Sequence, residues 1–312
     1  MGELPDSSKS DKITDVIVLR ALLENTAFSL YVKDREGRIL HASKKLLSDL
    51  GFTDESEVIG KNDIELFGKE YGTRTFKDDE FVISSGKMIA AKSECFAGPN
   101  GKENWVSTTK FPLKDDNGKI VGLVGISQEI NELRRAEQEL LRMATHDPLT
   151  SLPNRSFLRN QIHNAIEAAS FNNKKFAILF IDLDNFKAVN DRFGHSVGDQ
   201  ILMDIARVFE FSVRSSDVVA RYGGDEFVIL LEGINSVDKV REISETISEN
   251  AVQYFIGLHI VAGVSIGASL YPDHGQDGEA LIKAADKAMY AAKSAKTTFR
   301  LADPNDGAAW TI

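Results

Sequence analysis

The sequence predicts an α/β chain of the α+β kind: an N-terminal antiparallel sheet with helices, a helical linker, and a C-terminal domain with helices on a mixed sheet. Three observations carry that prediction. A chain of 312 residues holds roughly two ordinary domains. Hydrophobic residues at 42% and charged residues at 27% are the proportions of a folded chain, not of a disordered or collagen-like one. The apolar pattern then differs between the halves: two short strands, helices and three strands come first, and helices alternating with strands follow.

Taken in order, residues 1–12 are Ser- and Asp-rich and read as a loose tail, while Ile13 to Leu23 has the apolar spacing of a short helix. Phe28 to Val32 and Arg38 to His41 read as a hairpin about a turn ending in Gly37. Helices are expected over Ser43 to Leu50, Glu55 to Ile59 and around Thr75 to Ser84. Strands are expected over Lys87 to Phe96, Lys102 to Pro112 and Lys119 to Ser127, parted by the turns Gly98-Pro99-Asn100-Gly101 and Asp115-Asp116-Asn117-Gly118. These elements place a first domain at 13–127. Residues 128–145 favour helix, and Ile126, Ile130, Leu133, Glu137, Leu140 and Ala144 fall at alternating four- and three-residue steps. Such a seam suits either a helix packed on its own domain or a parallel two-stranded coiled coil. The second domain, 146–303, reads as helix (Pro153 to Ser170), strand (Lys175 to Asp182), helix (Val197 to Val213) and a hairpin of Asp217 to Tyr222 with Asp225 to Leu231. Helix (Val237 to Asn250), strand (Ile260 to Leu270), helix (Gly278 to Ser294) and a tail at 304–312 complete it.

Acidic residues outnumber basic ones, 47 Asp and Glu against 37 Lys and Arg, for a net charge of −10. Neither half has the basic face that a phosphate backbone needs, so no nucleic-acid partner is expected. A small nucleotide held by a few placed cations, a metal or backbone amides remains compatible. One cysteine, Cys95, allows neither an intramolecular disulfide nor a zinc cluster. The N-terminus MGELPDSSKSDKITD lacks an apolar stretch, and runs such as Phe176 to Ile181 and Val121 to Ile126 fall short of a membrane span. A cytoplasmic protein without membrane contact is expected.

Two acidic sites stand out. Between the β-branched runs of Val218 to Ile229, Gly223 and Gly224 mark a two-residue turn with positive φ at both positions, and Asp225 and Glu226 follow at once. The glycines leave open space over the backbone. In Phe176 to Asp191, an apolar strand ends in Asp182-Leu183-Asp184 before a helix starting near Asn185. Asp184 suits a helix N-cap as well as a ligand, whereas Asp182 at the end of a buried strand has no such structural use. If the two strands are neighbours, Asp182 and Asp225 converge, and they either repel or hold a hard divalent cation such as Mg²⁺ (or Mn²⁺). A metal with a phosphate-bearing substrate is the simplest reading.

RYGGDEF at Arg221 to Phe227 stands with DPLTSLPNR at Asp147 to Arg155, IDLDNFKAVND at Ile181 to Asp191, FGHSVGD at Phe193 to Asp199 and ADKAMYAAK at Ala285 to Lys293. In motif and order this resembles the GGDEF family, the diguanylate cyclases, from about His146 to about Thr298. The resemblance implies a domain like the palm of nucleotidyl cyclases and polymerases, joining two GTP into cyclic di-GMP as a homodimer. It implies that Asp182, the carbonyl of Leu183 and Asp225 hold Mg²⁺, and that Asp225 and Glu226 are catalytic, Asp225 as base or as ligand near the attacking 3′-hydroxyl. Asn185, Phe186 and Lys187 would offer amides to the β- and γ-phosphates. Asn190 and Asp199 would recognise guanine, His195 would line the same pocket, Gly223 and Gly224 would leave room for nucleotide, and Lys293 would reach the phosphates. Arg214 and Asp217, in RSSD, match the family's product-inhibition site for cyclic di-GMP. A strand of about six residues at about 3.3 Å each sets that site about 20 Å from the turn, so inhibition would be allosteric. One departure stands out: the family continues AKxxGRN, whereas this chain reads Ala292-Lys293-Ser294-Ala295-Lys296-Thr297-Thr298, without the Gly and the phosphate-binding Arg. The rival reading is a non-catalytic GGDEF receptor that binds GTP or cyclic di-GMP and signals by contact.

YVKDREGRILHAS together with GKENWVSTTKFPLKDDNGKIVGLVGISQEI resembles the first hairpin and the last three strands of a PAS domain, a small sensor module. The family's D-[IV]-T-[ED] exit reads Glu129-Ile130-Asn131-Glu132 here. This resemblance implies a sensor that controls the second domain through the linker helix and pairs with a second copy through both. Cys95 lacks the surroundings of a flavin-reactive cysteine, and Lys61 to Ile89 holds no His for haem. Cys95, Trp105 and Phe111 are expected in the core, and the sensor's ligand is left unnamed.

Overall fold

The structure, a computed structural model, describes residues 14–98, 101–172, 174–234 and 236–303. The expected tails, Ile13 and the turn residues Pro99 and Asn100 lie outside the described residues. The chain divides into two compact units, Met1–Glu137 and Gln138–Ile312.

The first unit runs α1 (Asp15–Asn25), β1 (Ser29–Asp34), β2 (Ile39–Ala42), α2 (Lys44–Leu50), a short 3-10 turn (Glu55–Glu57), α3 (Asp63–Phe67), α4 (Lys69–Ser85), β3 (Ile89–Ala97), β4 (Glu103–Lys114) and β5 (Ile120–Glu129). Its sheet is antiparallel in the order β2-β1-β5-β4-β3, so the last strand of the unit lies against the first. Local chemistry fixes the helix starts: the Ser43 hydroxyl accepts from the Leu46 amide, and Asn62 with Glu65 forms a reciprocal capping box. Gly72 is required where α4 crosses α3, because a Cβ there would stand 2.5 Å from the Asp63 carbonyl oxygen. Tyr31, Ile39, Leu46, Leu47, Val58, Val82 and Leu123 form the core.

Several expectations are corrected here. Glu55 to Ile59 makes only the 3-10 turn, and the five-residue α3 was not foreseen. The strand β5 extends to Glu129, so Ile126 belongs to the sheet and not to a helical seam. Phe111 is exposed at 36%, and Cys95 is half-buried, because the alternation of β3 turns Glu94 and Phe96 inward instead.

Helix α5 (Asn131–Thr145) buries none of its residues, and Leu133, Leu140, Leu141 and Met143 are exposed. The second unit continues with α6 (Arg155–Asn172), β6 (Phe176–Asp184), α7 (Phe186–Phe193), α8 (His195–Ser212), β7 (Val218–Gly223), β8 (Glu226–Leu231), α9 (Val237–Gly257), β9 (Gly263–Tyr271), α10 (Gly278–Ser294) and β10 (Phe299–Leu301). The sheet order is β10-β9-β6-β8-β7; β10 and β9 are parallel and the other pairs antiparallel. Strand β6 lies at the centre, and its apolar run is explained by burial on both faces. Ala177, Leu179 and Ile181 pack with residues of α8 and α9, while Phe176, Ile178 and Phe180 pack with residues of α6 and α10. Helix α10 sits close on β9 because Gly267 has no side chain: a Cβ there would come within 2.0 Å of the Ala285 carbonyl oxygen. These contacts hold the carboxyl end of β6 and the start of β8 side by side.

Candidate active site

Strands β6 and β8 pair with Asp182 opposite Glu226, and the Leu183 amide donates to the Asp225 carbonyl at 3.3 Å. The carboxylates of the two sequence motifs therefore meet at one end of the sheet. The turn lies one residue later than expected. Gly223 remains in the ladder opposite Glu226, and the two loop residues are Gly224 and Asp225, of which only Gly224 has positive φ (+52°). One left-handed glycine in the first loop position suits a hairpin of this length.

The loop is held from behind by Arg221. Its guanidinium donates to the Gly224 carbonyl from Nε (3.0 Å) and Nη2 (2.7 Å), and to Asp147 Oδ1 from Nη1 (3.0 Å). Asp147 also accepts from the amide and hydroxyl of Thr150, both at 2.8 Å. Burial works against its charge, yet Thr150 and Arg221 together hold the Asp147 carboxyl below its usual range. Sequence reasoning gave Arg221 and Asp147 no role. The available signal was a charged residue inside the strand run Val-Val-Ala-Arg-Tyr.

Lys293, on α10, forms an ion pair with Asp182. Burial, and after it the charges of Asp225 and Asp184, push the Asp182 carboxyl up against the opposing pull of Lys293. Glu226 is pushed up by burial and then by Asp286, Asp182 and Asp225, with Arg155 opposing. Burial also raises Asp286, a site neighbour that the sequence did not single out. Acidic groups thus exceed cations at these strand ends.

Asp184 is not a helix cap: it accepts from the Ser265 hydroxyl at 2.8 Å. The N-cap of α7 is Asn185, left-handed at φ 61° and without a side-chain cap bond, so the first-turn amides of α7 have no side-chain partner from it. Phe186 is buried in the core and Lys187 is exposed. Asn190 is half-buried on α7 with its Oδ1 against Gly198, where a Cβ would come within 1.8 Å. His195 and Asp199 are exposed in the first turns of α8. Arg214 and Asp217 lie before β7, at its far end from Gly223. The Asp217 carboxylate accepts from the amides of Arg214 (3.1 Å) and Glu232 (3.2 Å), and Arg214 is exposed.

Among the described residues no group of three or more His, Cys, Asp or Glu side chains could hold a metal. The donor set of Asp182, Asp225 and the Leu183 carbonyl still fits a hard cation of the Mg²⁺ kind, which takes one or two carboxylates and completes its shell with water and substrate phosphates. A cleft bordered by Asp184, Asn185, Ser265, Lys293, Lys296 and Thr298 lies beside that set.

A family model described as "Diguanylate cyclase, GGDEF domain" matches residues 144–298, and one described as "PAS fold" matches residues 23–135. The chain belongs to the GGDEF family. The chain is 44% identical over 162 residues to the bifunctional diguanylate cyclase/cyclic di-GMP phosphodiesterase MucR of Pseudomonas aeruginosa, covering 52% of this chain and 24% of that protein. A protein of Vibrio cholerae named diguanylate cyclase is 29% identical over 291 residues, covering 88% of this chain and 89% of that one. The crystal structure of the GGDEF domain of TpbB (YfiN) from Pseudomonas aeruginosa is 37% identical, covers 49% of this chain and 98% of that one, and has a TM-score of 0.46. This GGDEF chain spans between 24% and 41% of the length of the curated relatives it matches first. Among its described residues no helix is long and apolar enough to cross a membrane.

Proposed function

We propose that the chain is a diguanylate cyclase, condensing two GTP into cyclic di-GMP with release of two pyrophosphates, under the control of its PAS unit. The observation that carries this is the meeting of Asp182 with Asp225 and Glu226 at adjoining strand ends, beside Lys293 and the uncapped start of α7. A divalent cation, Mg²⁺ in this reading, would be held by Asp182, Asp225 and the Leu183 carbonyl, and would neutralise the triphosphate and the charge developing at the α-phosphorus.

The protein's own groups do the rest. The α7 amides of Phe186 and Lys187 receive the β- and γ-phosphate oxygens, and Lys293 adds a cation to them. Asn190 and Asp199 bind the guanine edge, where a carboxylate accepts from N1–H and the exocyclic amine together. Each 3′-hydroxyl oxygen forms a bond to the α-phosphorus of the other GTP as the bond to the pyrophosphate oxygen breaks. Asp225 acts on the attacking hydroxyl, as the base that takes its proton or as the metal ligand beside it, and Glu226 assists the metal site. Since one domain offers one GTP, turnover requires two copies, and the exposed leucines of α5 supply a surface for pairing. Cyclic di-GMP would bind at Arg214 and Asp217 and inhibit from a distance.

One observation favours the receptor reading: Thr297 stands where the family has its phosphate-binding Arg. Incubation of the purified chain with GTP and Mg²⁺, with Asp225→Ala alongside and products identified by mass spectrometry, separates the two. Cyclic di-GMP from the wild type alone supports the cyclase. GTP binding by a dimer that forms no product supports the receptor.

A further inference from the structure

The first unit encloses a cavity between the inner face of its sheet and the helices α2 to α4, walled by Tyr31, Lys33, Phe67, Tyr71, Glu94 and Phe96 among others. Its volume is about 40 Å³, where one water needs roughly 10–15 Å³ on the same scale. The occupant therefore has few heavy atoms.

The charges around the cavity are unequal in how they are matched. Lys33 Nζ donates to Asp63 Oδ1 and Asp79 Oδ2, both at 2.6 Å, and Lys110 Nζ donates to Asp79 Oδ1 (2.5 Å) and the Thr75 carbonyl (3.0 Å). All four side chains are at least nine-tenths buried, and their two positive and two negative charges cancel. Asp49 is taken by Lys45 and the Ser29 hydroxyl. Glu94 is different. Its side chain is only 7% exposed, and its cation, Lys92 at 3.2 Å, is 42% exposed and shared with Asp78. Two carboxylates thus share one partly exposed lysine, and Glu94 is the one of them that lines the cavity.

The rest of that wall suits the alkyl part of an organic cation. The rings of Phe67, Tyr71 and Phe96 pack on one another, mostly edge to face, at 5.2–5.6 Å, and give the cavity an apolar lining. Tyr31 is buried, and its hydroxyl has no hydrogen-bond partner among the described residues. Because no fully buried side-chain nitrogen or oxygen there is left unpaired, that hydroxyl faces the open space of the cavity and can accept an N–H. Burial raises the Tyr31 and Tyr71 hydroxyls, and they stay neutral. An anionic occupant would meet Glu94 and a Lys33 already clasped by two carboxylates. A neutral apolar one would leave the Tyr31 hydroxyl without a partner and Glu94 with only its share of Lys92.

We propose that this cavity binds a small organic ammonium ion, with Glu94 as its counter-charge, the Tyr31 hydroxyl as an acceptor and the three aromatic rings around its alkyl part. The site lies wholly within the first unit and rests on the sensor reading only for its consequence, control of the second unit.

The test is a chemical-shift titration of the isotope-labelled full chain without nucleotide, using ethylammonium chloride, ethanol and sodium acetate as probes of nearly equal size at constant ionic strength. Saturable shifts around Tyr31 and Glu94 with ethylammonium alone are expected, weakened about tenfold in Glu94→Gln. No saturation by ethylammonium, equal binding of ethanol, tighter binding of acetate, or an unchanged constant in a folded Glu94→Gln would each overturn the proposal. Should that variant not fold, the comparison of the three probes on the wild type decides alone. Binding is read without turnover, so its failure and the failure of the cyclase reading are separate results.

Discussion

Arg221→Lys tests whether the loop that presents Asp225 is held in place from behind. The arginine makes three hydrogen bonds, two to the Gly224 carbonyl and one to Asp147, with 13% of its side chain and 18% of that of Asp147 exposed. A lysine can supply one of the three, because an ammonium is a point donor and lacks the planar fork. Hydrogen bonds to charged groups contribute about 1.5–3 kcal/mol each, and partial exposure favours the low end, so the loss is about 2–3 kcal/mol. For a unit of this size each kcal/mol lowers the melting temperature by about 2–4 °C, which predicts a drop of roughly 5–10 °C for the lysine variant and more for Arg221→Ala. Cyclic di-GMP synthesis should fall with it, since Gly224 immediately precedes Asp225. The pH dependence has a definite sign. Folding depresses the Asp147 carboxyl, so its stabilisation is present above the unfolded value, about 3.9, and fades as pH falls through the folded one. The gap between wild type and Arg221→Ala should accordingly narrow in acid. Thermal melts by circular dichroism from neutral to acidic pH, with initial rates at neutral pH, measure all of this. A lysine variant that melts with the wild type and turns over at full rate would refute the reasoning.

Other expectations address pairing, inhibition and substrate affinity. Leu133→Glu with Leu140→Glu puts charge on the exposed leucines of α5 and should abolish turnover while sparing GTP binding; full activity in a monomer shown by sedimentation contradicts the pairing role. Arg214→Ala should relieve inhibition by cyclic di-GMP with the initial rate intact, and an unchanged inhibition curve counts against the site. Thr297→Arg should tighten GTP binding by restoring a bidentate phosphate donor, checked by calorimetry. Lys296 has φ +56° just past the end of α10, so Lys296→Gly should stabilise the unit by up to about 1 kcal/mol, visible as a raised denaturant midpoint.

What the sequence disclosed depended on whether the signal was local. Strand β6 was legible because a run of apolar residues buried on both faces has few other uses, and α10 because its apolar spacing follows an Asp N-cap at Asp277. Short pieces were not. The helix α3 has five residues, β10 has three, and Glu55–Glu57 has helical composition but only one tight turn. The turn before Glu226 reads one residue early from the sequence because Gly-Gly looks the same in either register, and only pairing with β7 settles it. Of the candidate site, the sequence named the motif carboxylates. It gave no sign of the Arg221–Asp147 bond, which joins residues 74 positions apart, or of Asp286 beside Glu226. Lys33, Asp79 and Lys110 escaped for the same reason: read singly each is a solvated charge, and only the fold brings them inside together.

The treatment of charge differs between the two units in a way that bears on function. In the first, two lysines and two aspartates are sealed and neutral, and removing one partner would strand a buried charge at about 3–5 kcal/mol. A network so closed has nothing to offer a ligand, and it serves to tie β1 and β4 to the helices. At the strand ends of the second unit Asp182, Asp184, Asp225 and Glu226, with Asp286 of α10 near Glu226, outnumber the cations Lys293, Lys296 and Arg155, and the carboxyls of Asp182 and Glu226 are raised by burial first and by this surplus after it. A surplus that burial and repulsion both penalise is held only because the rest of the unit is stable enough to impose it, and it is relieved by whatever positive charge binds there. Glu94 repeats the pattern on a smaller scale inside the first unit, where it and Asp78 share one lysine. Unbalanced charge, not the number of ion pairs, is thus the feature that the two proposed sites share.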